Sequence, residues 1–163
     1  MTAYAYYSSP LGFLEVVCTE IGISEINFVD NPRSETSDDP PPALRDCLTQ
    51  LDEYFAGRRR RFEVPLDLSR GTDFHREVWR LVQAIPYGRT RSYSTIAETL
   101  GRPHASRAVG QANGRNPIPI IIPCHRVIGK DGGLTGYAYG LEMKEALLAI
   151  ENPKKFAHQA ELW

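Results

Sequence analysis

The hydrophobic period of this chain changes at Ser69-Arg70-Gly71-Thr72, and no single layer of secondary structure can satisfy both sides of that break. Upstream the pattern is that of strands and tight turns. Phe62, Val64, Leu66 and Leu68 alternate with polar residues, the period of a half-buried strand. Phe13 to Cys18 and Ile23 to Val29 are apolar and β-branched; Ser9-Pro10-Leu11-Gly12 is a turn, and Glu20-Ile21-Gly22 can close a hairpin. Residues 31–42 are polar, acidic and Pro-rich, which predicts a surface loop. Leu44, Cys47, Leu48, Leu51 and Phe55 recur at helical spacing, with Gly57 as a cap. Downstream the period is helical. Phe74, Val78, Leu81, Val82 and Ile85 share one face, capped by Thr72 or Asp73 and ended by Pro86-Tyr87-Gly88. A short helix from Ser94 to Leu100 stops at Gly101. Another runs from Pro103, in its first turn, to about Gly114. Two short helices across a glycine-containing turn read as a helix-turn-helix. A last long helix spans Leu141 to Ile150. We therefore expect two domains, residues 1–70 and 71–163, in an α/β (α+β) fold.

Charge follows the same division. Residues 1–70 carry 12 acidic and 7 basic side chains, whereas residues 71–130 carry 3 acidic and 9 basic. A basic segment suits either simple solubility or a polyanionic partner. The run Arg58-Arg59-Arg60-Arg61 reads as a solvated turn. Apolar runs are too short to span a bilayer and the N-terminus has no secretory pattern, so we expect no membrane partner and an intracellular, cytoplasmic location, or nuclear in a eukaryote. Cys18, Cys47 and Cys124 cannot all pair within one chain and show no C-x-x-C spacing, so neither a disulfide scaffold nor a zinc ribbon is expected. Cys18 and Cys47 lie on apolar stripes and read as core thiols.

The most unusual stretch is residues 116–127, Asn-Pro-Ile-Pro-Ile-Ile-Ile-Pro-Cys-His-Arg-Val. Three prolines stiffen it, and Pro123 fixes the backbone directly before Cys124. A cysteine at the end of a buried apolar strand, beside imidazole and guanidinium, is placed to ionise and act as a nucleophile. The plainer alternative is a structural cysteine with His125 and Arg126 facing solvent. Glu151 falls on or beside the buried stripe of the last helix, and His125 is the candidate partner for its carboxylate. Cys124, His125 and Glu151 then match the order of nucleophile, base and orienting group. The helix 103–114 carries mostly small side chains and one arginine, Arg107, which suits tight packing or a groove about 6 Å wide.

Pro123-Cys124-His125-Arg126-Val127 resembles the active-site signature of the O6-alkylguanine-DNA alkyltransferases, also called methylated-DNA–protein-cysteine methyltransferases. The resemblance runs from about Phe74 to Glu151 and includes Ser92-Tyr93, Arg107-Ala108-Val109-Gly110, Asn116-Pro117, Gly136-Tyr137, Gly140-Leu141 and the helix from Lys144-Glu145 to Glu151. It implies an N-terminal ribonuclease-H-like antiparallel sheet domain and a C-terminal winged helix-turn-helix. It implies that Cys124 accepts an alkyl group, with His125 as base through a water and Glu151 orienting the imidazole. Asn116 would bridge the active-site segment and the recognition helix, and Tyr93 would donate to the purine N3. Arg107 would enter the duplex in place of the extruded guanine. Ala105, Ser106, Ala108 and Gly110 would face the minor groove of double-stranded DNA, with Arg115 among the DNA contacts. Val127, Tyr137, Ala138 and Tyr139 would form the pocket for O6-alkylguanine. The thioether product is not reversed, so each monomeric molecule would act once, without a cofactor.

Two positions depart from the family pattern. Ala138 stands where other members have Ser, so a side-chain hydroxyl near O6 is missing, and Tyr139 stands where some have Gly, so a tighter pocket mouth is expected. The N-terminal part has no histidine, so the zinc site of some members is not expected. Two other classes of function compete: a non-catalytic sensor of alkylated bases or helix-turn-helix regulator, and a cysteine hydrolase. Cys124 argues against the first, and the second leaves Arg107 and the basic segment unexplained.

Overall fold

The turn at residues 9–12 folds β1 (Ala3–Ser9) back on β2 (Gly12–Cys18), and β2 pairs in turn with β3 (Ile23–Val29), all antiparallel. The sheet order is β1-β2-β3, with an irregularity between Val17 and Cys18. Its buried face, including Ala5, Leu14, Val16 and Ile26, belongs to the same core as Leu44, Cys47, Leu51 and Tyr54 of α1 (Pro42–Phe55). Gly57 follows α1 at φ 76°, the left-handed end that glycine permits. This computed structural model describes residues 2–32, 36–134 and 136–160, the last four as backbone only. Residues 33–35 of the expected loop lie outside the described residues.

Residues 62–68 do not form the expected strand. Only Leu66 bridges to the sheet, in parallel with Ile23. The reason lies in where the backbone groups of this segment are satisfied. Gln50 of α1 donates to the Glu63 carbonyl at 3.2 Å and accepts from the Glu63 N–H at 2.8 Å. Ile23 N–H donates to Pro65 O at 2.9 Å, and Asp67 N–H donates to Ile23 O at 2.7 Å. The Gln50 side chain thus holds one end of the segment and the Ile23 backbone the other, leaving a single bridge in place of a regular ladder.

The helical part begins with α2 (Asp73–Gln83), whose cap Thr72 accepts from the His75 N–H at 3.1 Å. A two-residue strand, β4 (Arg91–Ser92), leads into α3 (Tyr93–Thr99). Then follow α4 (Ser106–Gly114), a 3-10 turn at Cys124–Arg126, and β5 (Val127–Ile128), which pairs in parallel with β4. Two final helices, α5 (Leu141–Glu151) and α6 (Pro153–Ala160), complete this part. α4 starts later than expected. Pro103 lies in the turn before it, where Ala105 N–H donates to Arg102 O. The apolar run before Cys124 is buried, as its composition requires, but is not a strand. Ile120 within it has φ 76°, a left-handed conformation rare for a β-branched residue.

The chain forms two compact units, Met1–Arg70 with Pro117–Pro119, and Gly71–Asn116 with Ile120–Trp163. Residues 117–119 were expected in the second unit, yet they pack with the first, where Ile26 N–H donates to Pro117 O at 2.9 Å. Among the described residues no helix is long and apolar enough to cross a membrane.

A β-carbon added at Gly22 would lie 2.4 Å from the Pro65 carbonyl oxygen, a backbone atom that cannot swing aside. Gly22→Ala is expected to lower stability by about 2 kcal/mol, whereas Gly114→Ala, whose β-carbon meets nothing within 4 Å, should leave stability equal or higher. Urea unfolding of the two variants checks the contrast.

Candidate active site and nucleic-acid interface

Three buried side chains converge behind Cys124. α5 places Glu151 at its last turn, and the 3-10 turn presents His125 and Arg126 to it. His125 Nε2 lies 2.7 Å from Glu151 Oε2, and neither side chain has exposed surface. Arg126 donates from Nε to Oε1 at 2.7 Å and from Nη2 to Oε2 at 2.9 Å, and its Nη1 donates to the Ile85 carbonyl at 2.6 Å. Arg126 is therefore part of the buried cluster and does not face solvent. Burial alone would raise the Glu151 carboxyl; the His125 and Arg126 charges and hydrogen bonds outweigh it and hold the group well below the usual carboxylate range. For His125, burial pushes the imidazole down, against the pull of Glu151, so the ring is neutral near pH 7. A carboxylate can only accept, so Nε2 carries the proton and Nδ1 is a bare acceptor. Nδ1 is buried and has no partner among the described residues. That is the arrangement of a base waiting for a proton.

The thiol behaves differently from expectation. Burial pushes Cys124 up from its ordinary value, and the opposing influences of Asn116, Tyr137 and Lys144 do not cancel it. The resting sulfur is a thiol, because adjacent positive charge in the sequence does not compensate for loss of water around the sulfur. Lys144, about two turns ahead of Glu151 on α5, is fully buried, and burial pushes its ammonium down to about 8 against the attraction of Cys124. Sequence reading missed it, since a helix lysine is normally exposed.

Cys124 opens into a cavity of ≈ 330 Å³ whose wall includes Tyr93, Asn113, Asn116, Tyr137, Ala138 and Tyr139. The sulfur lies 3.8 Å from the Tyr137 hydroxyl, and the Tyr137 and Tyr139 rings meet edge to face at 6.0 Å between centroids. Val127, expected in the pocket mainly through its backbone, is buried and does not line this cavity. Asn116 at the end of α4 donates to the Ile122 carbonyl at 2.7 Å, and Asn113 donates to the Cys124 carbonyl at 3.2 Å. These two amides tie α4 to the segment carrying the sulfur. Asn113 was also missed, because an asparagine late in a helix gives no pattern of its own.

Along α4 and its two caps, Arg107, Ala108 and Arg115 are exposed, Ala105, Ser106 and Gly110 are half-buried, and Val109 and Ala112 are in the core. Trp79 fixes the helix by donating to the Ala112 carbonyl at 2.8 Å. Small side chains flanked by two arginines make a face that can approach a polyanion closely. The described residues contain no group of three His, Cys, Asp or Glu side chains suited to a metal ion.

Removing the charge of Glu151 leaves a buried guanidinium without its carboxylate. Glu151→Gln is expected to cost about 3 kcal/mol, measured by urea unfolding at pH 7. Because the folded carboxyl is held low, the unfolded chain takes up the proton first. The contribution of this group is complete above about pH 4.3 and fades as pH falls below that. The difference between the wild-type protein and Glu151→Gln should therefore shrink on acidification.

Residues 2–68 match the family model for the ribonuclease-like domain of 6-O-methylguanine DNA methyltransferase, and residues 73–153 match that for its DNA binding domain. The methylated-DNA–protein-cysteine methyltransferase of Mycolicibacterium paratuberculosis is 47% identical over 154 residues, 93% of each chain. The protein of that name from Methanosarcina acetivorans is 47% identical over 152 residues, 91% of this chain and 97% of the relative. The crystal structure of Mycobacterium tuberculosis OGT in complex with DNA aligns with a TM-score of 0.82 at 46% identity, covering 93% of both chains. With both halves matched, and relatives of this similarity along nearly the whole length, the chain belongs to the 6-O-methylguanine DNA methyltransferase family.

Proposed function

We propose that this protein repairs alkylated DNA by transferring the alkyl group from O6 of guanine to its own Cys124, once per molecule. The observation that carries the reading is the sulfur at the cavity wall with a neutral, carboxylate-held imidazole next to it in the chain. An O6-alkyl group is buried in the base stack, so the guanine must leave the duplex to reach that cavity. Duplex DNA is met from the minor groove by α4, with Arg107 filling the vacated stack and Arg115 among the phosphate contacts. Ala105, Ser106, Ala108 and Gly110 allow close approach. The protein acts as a monomer inside the cell, in the cytoplasm or a nucleus.

In the transfer, the thiol proton passes through a water to His125 Nδ1, and Glu151 stabilises the resulting imidazolium. The S–C bond forms as the C–O6 bond breaks, and the electron pair left on the purine is neutralised by a proton delivered at N3 from Tyr93. Asn116 keeps the sulfur segment and α4 in one geometry. A resting thiol fits this scheme: the sulfur is ionised only as the lesion arrives, which limits stray oxidation. The thioether product has no route back to a thiol.

Incubation with a duplex bearing O6-methylguanine is expected to raise the intact protein mass by one methyl group, with none in Cys124→Ser. An unchanged mass with the lesion left intact would overturn the reading. Tyr139 at the cavity wall narrows access for large O6 groups. Labelling by O6-benzylguanine is therefore expected to be slow, and about 10-fold or more faster in Tyr139→Gly; rapid labelling of the wild-type protein contradicts this.

A further inference from the structure

Arg126 follows His125 in the chain and grips the same carboxylate, yet the transfer scheme gives it no task. Its guanidinium is buried and held at three points: Nε donates to Glu151 Oε1 at 2.7 Å, Nη2 to Oε2 at 2.9 Å and Nη1 to the Ile85 carbonyl at 2.6 Å. The Tyr87 ring centre lies 5.7 Å from its central carbon. Both carboxylate oxygens are thus engaged by one guanidinium, and His125 Nε2 shares Oε2 at 2.7 Å. The charges that act on the imidazole are Glu151 and Lys144 from α5 and Arg126 from its own turn; Lys144 pushes in the same direction as Arg126. The turn after α2 contributes the Ile85 carbonyl and the Gly88 N–H to this cluster, and α4 meets the 3-10 turn through the Asn113 amide, all without formal charge.

Two cations beside one carboxylate are not equivalent. A guanidinium keeps its proton throughout the range in which proteins stay folded, whereas an imidazole exchanges its own near neutrality. With the Glu151 charge balanced by Arg126, a proton on His125 Nδ1 adds an unanswered charge to a buried site. Without Arg126 the same proton would complete an ion pair, and the ring would rest as an imidazolium with Nδ1 occupied. We infer that Arg126 is a positioning residue for alkyl transfer: it serves as the counter-ion of Glu151, which leaves His125 a hydrogen-bond donor through Nε2 and keeps Nδ1 bare for the thiol proton. The inference rests on the alkyl-transfer reading above.

The test follows two readouts against pH, the nitrogen-15 signals of the His125 ring without DNA and single-turnover methyl transfer from a duplex carrying O6-methylguanine. The proteins are the wild type, Arg126→Gln, which keeps an N–H for the carboxylate but no charge, and Arg126→Lys, which keeps the charge but not the fork. In the wild-type protein His125 is expected to stay neutral, with its proton on Nε2, down through about pH 6.5, where an unperturbed histidine is half charged. In Arg126→Gln the ring titration and the acid limb of the rate profile are expected to move up together by about one pH unit or more. Transfer on that limb then falls about 10-fold and recovers as pH rises. Arg126→Lys is expected to keep both at the wild-type position. A rate lowered by one factor at every pH in Arg126→Gln, with the ring titration unmoved, leaves Arg126 a structural role alone and overturns the inference. So does a wild-type His125 that is already an imidazolium at pH 7, a result that needs no variant to fold. Absence of transfer by the wild-type protein at every pH strikes the repair reading instead, and the ring titrations stand apart from it.

Discussion

The Glu151 carboxylate is the group on which the second unit turns. Its two oxygens receive His125 and two guanidinium nitrogens of Arg126, and Oε1 also accepts from the Gly88 N–H at 3.3 Å. Around it, Tyr87 donates to the Ile150 carbonyl and Asn152 to the Gly88 carbonyl, so the turn after α2 is stitched to the end of α5. A carboxylate this deep is tolerable only when its charge is answered and its lone pairs are filled. Both conditions are met by residues adjacent to Cys124 in the chain. The same contacts that make the burial possible therefore fix the 3-10 turn, and with it the position of the sulfur.

That arrangement assigns separate tasks to neighbouring cations. Arg126 balances the carboxylate and is held by the Ile85 carbonyl and the Tyr87 ring. His125 is thereby spared from having to be charged, and burial keeps it neutral. Had Glu151 only His125 for company, the pair would favour an imidazolium, a poor base. Lys144 adds positive charge on the sulfur side without overcoming the cost of burying a thiolate. The resting site thus holds a protonated nucleophile and an empty base, a poised state rather than an activated one.

The cavity depends on α4 as much as on the cysteine. Val109 and Ala112 bury one face of this helix, and Trp79 and the amides of Asn113 and Asn116 hold it. The exposed face carries Arg107 and Arg115, and Gly110 and Gly114 border the cavity. One short helix therefore connects the surface offered to a polyanion with the wall beside the sulfur. Small residues serve both ends, since a larger side chain would hold a duplex away on one side and fill the cavity on the other.

Much of this was legible in the residues. The β hairpins, α1, α2 and the late helix follow from local periodicity and caps, and the Pro-Cys-His-Arg-Val segment with a downstream Glu identified the family resemblance. Local rules failed where distant groups satisfied the backbone. Residues 62–68 alternate like a strand, but Gln50 and Ile23 take their hydrogen bonds. Residues 117–119 leave the unit that precedes and follows them in sequence. The sequence by itself determined which side chains were available and roughly which element each would occupy, because those depend on neighbours a few residues away. Only the tertiary structure decided that Arg126 turns inward, that Lys144 is buried and that the Cys124 thiol stays protonated. Each of these is set by desolvation and by partners tens of residues distant, and neither quantity is written in a local pattern.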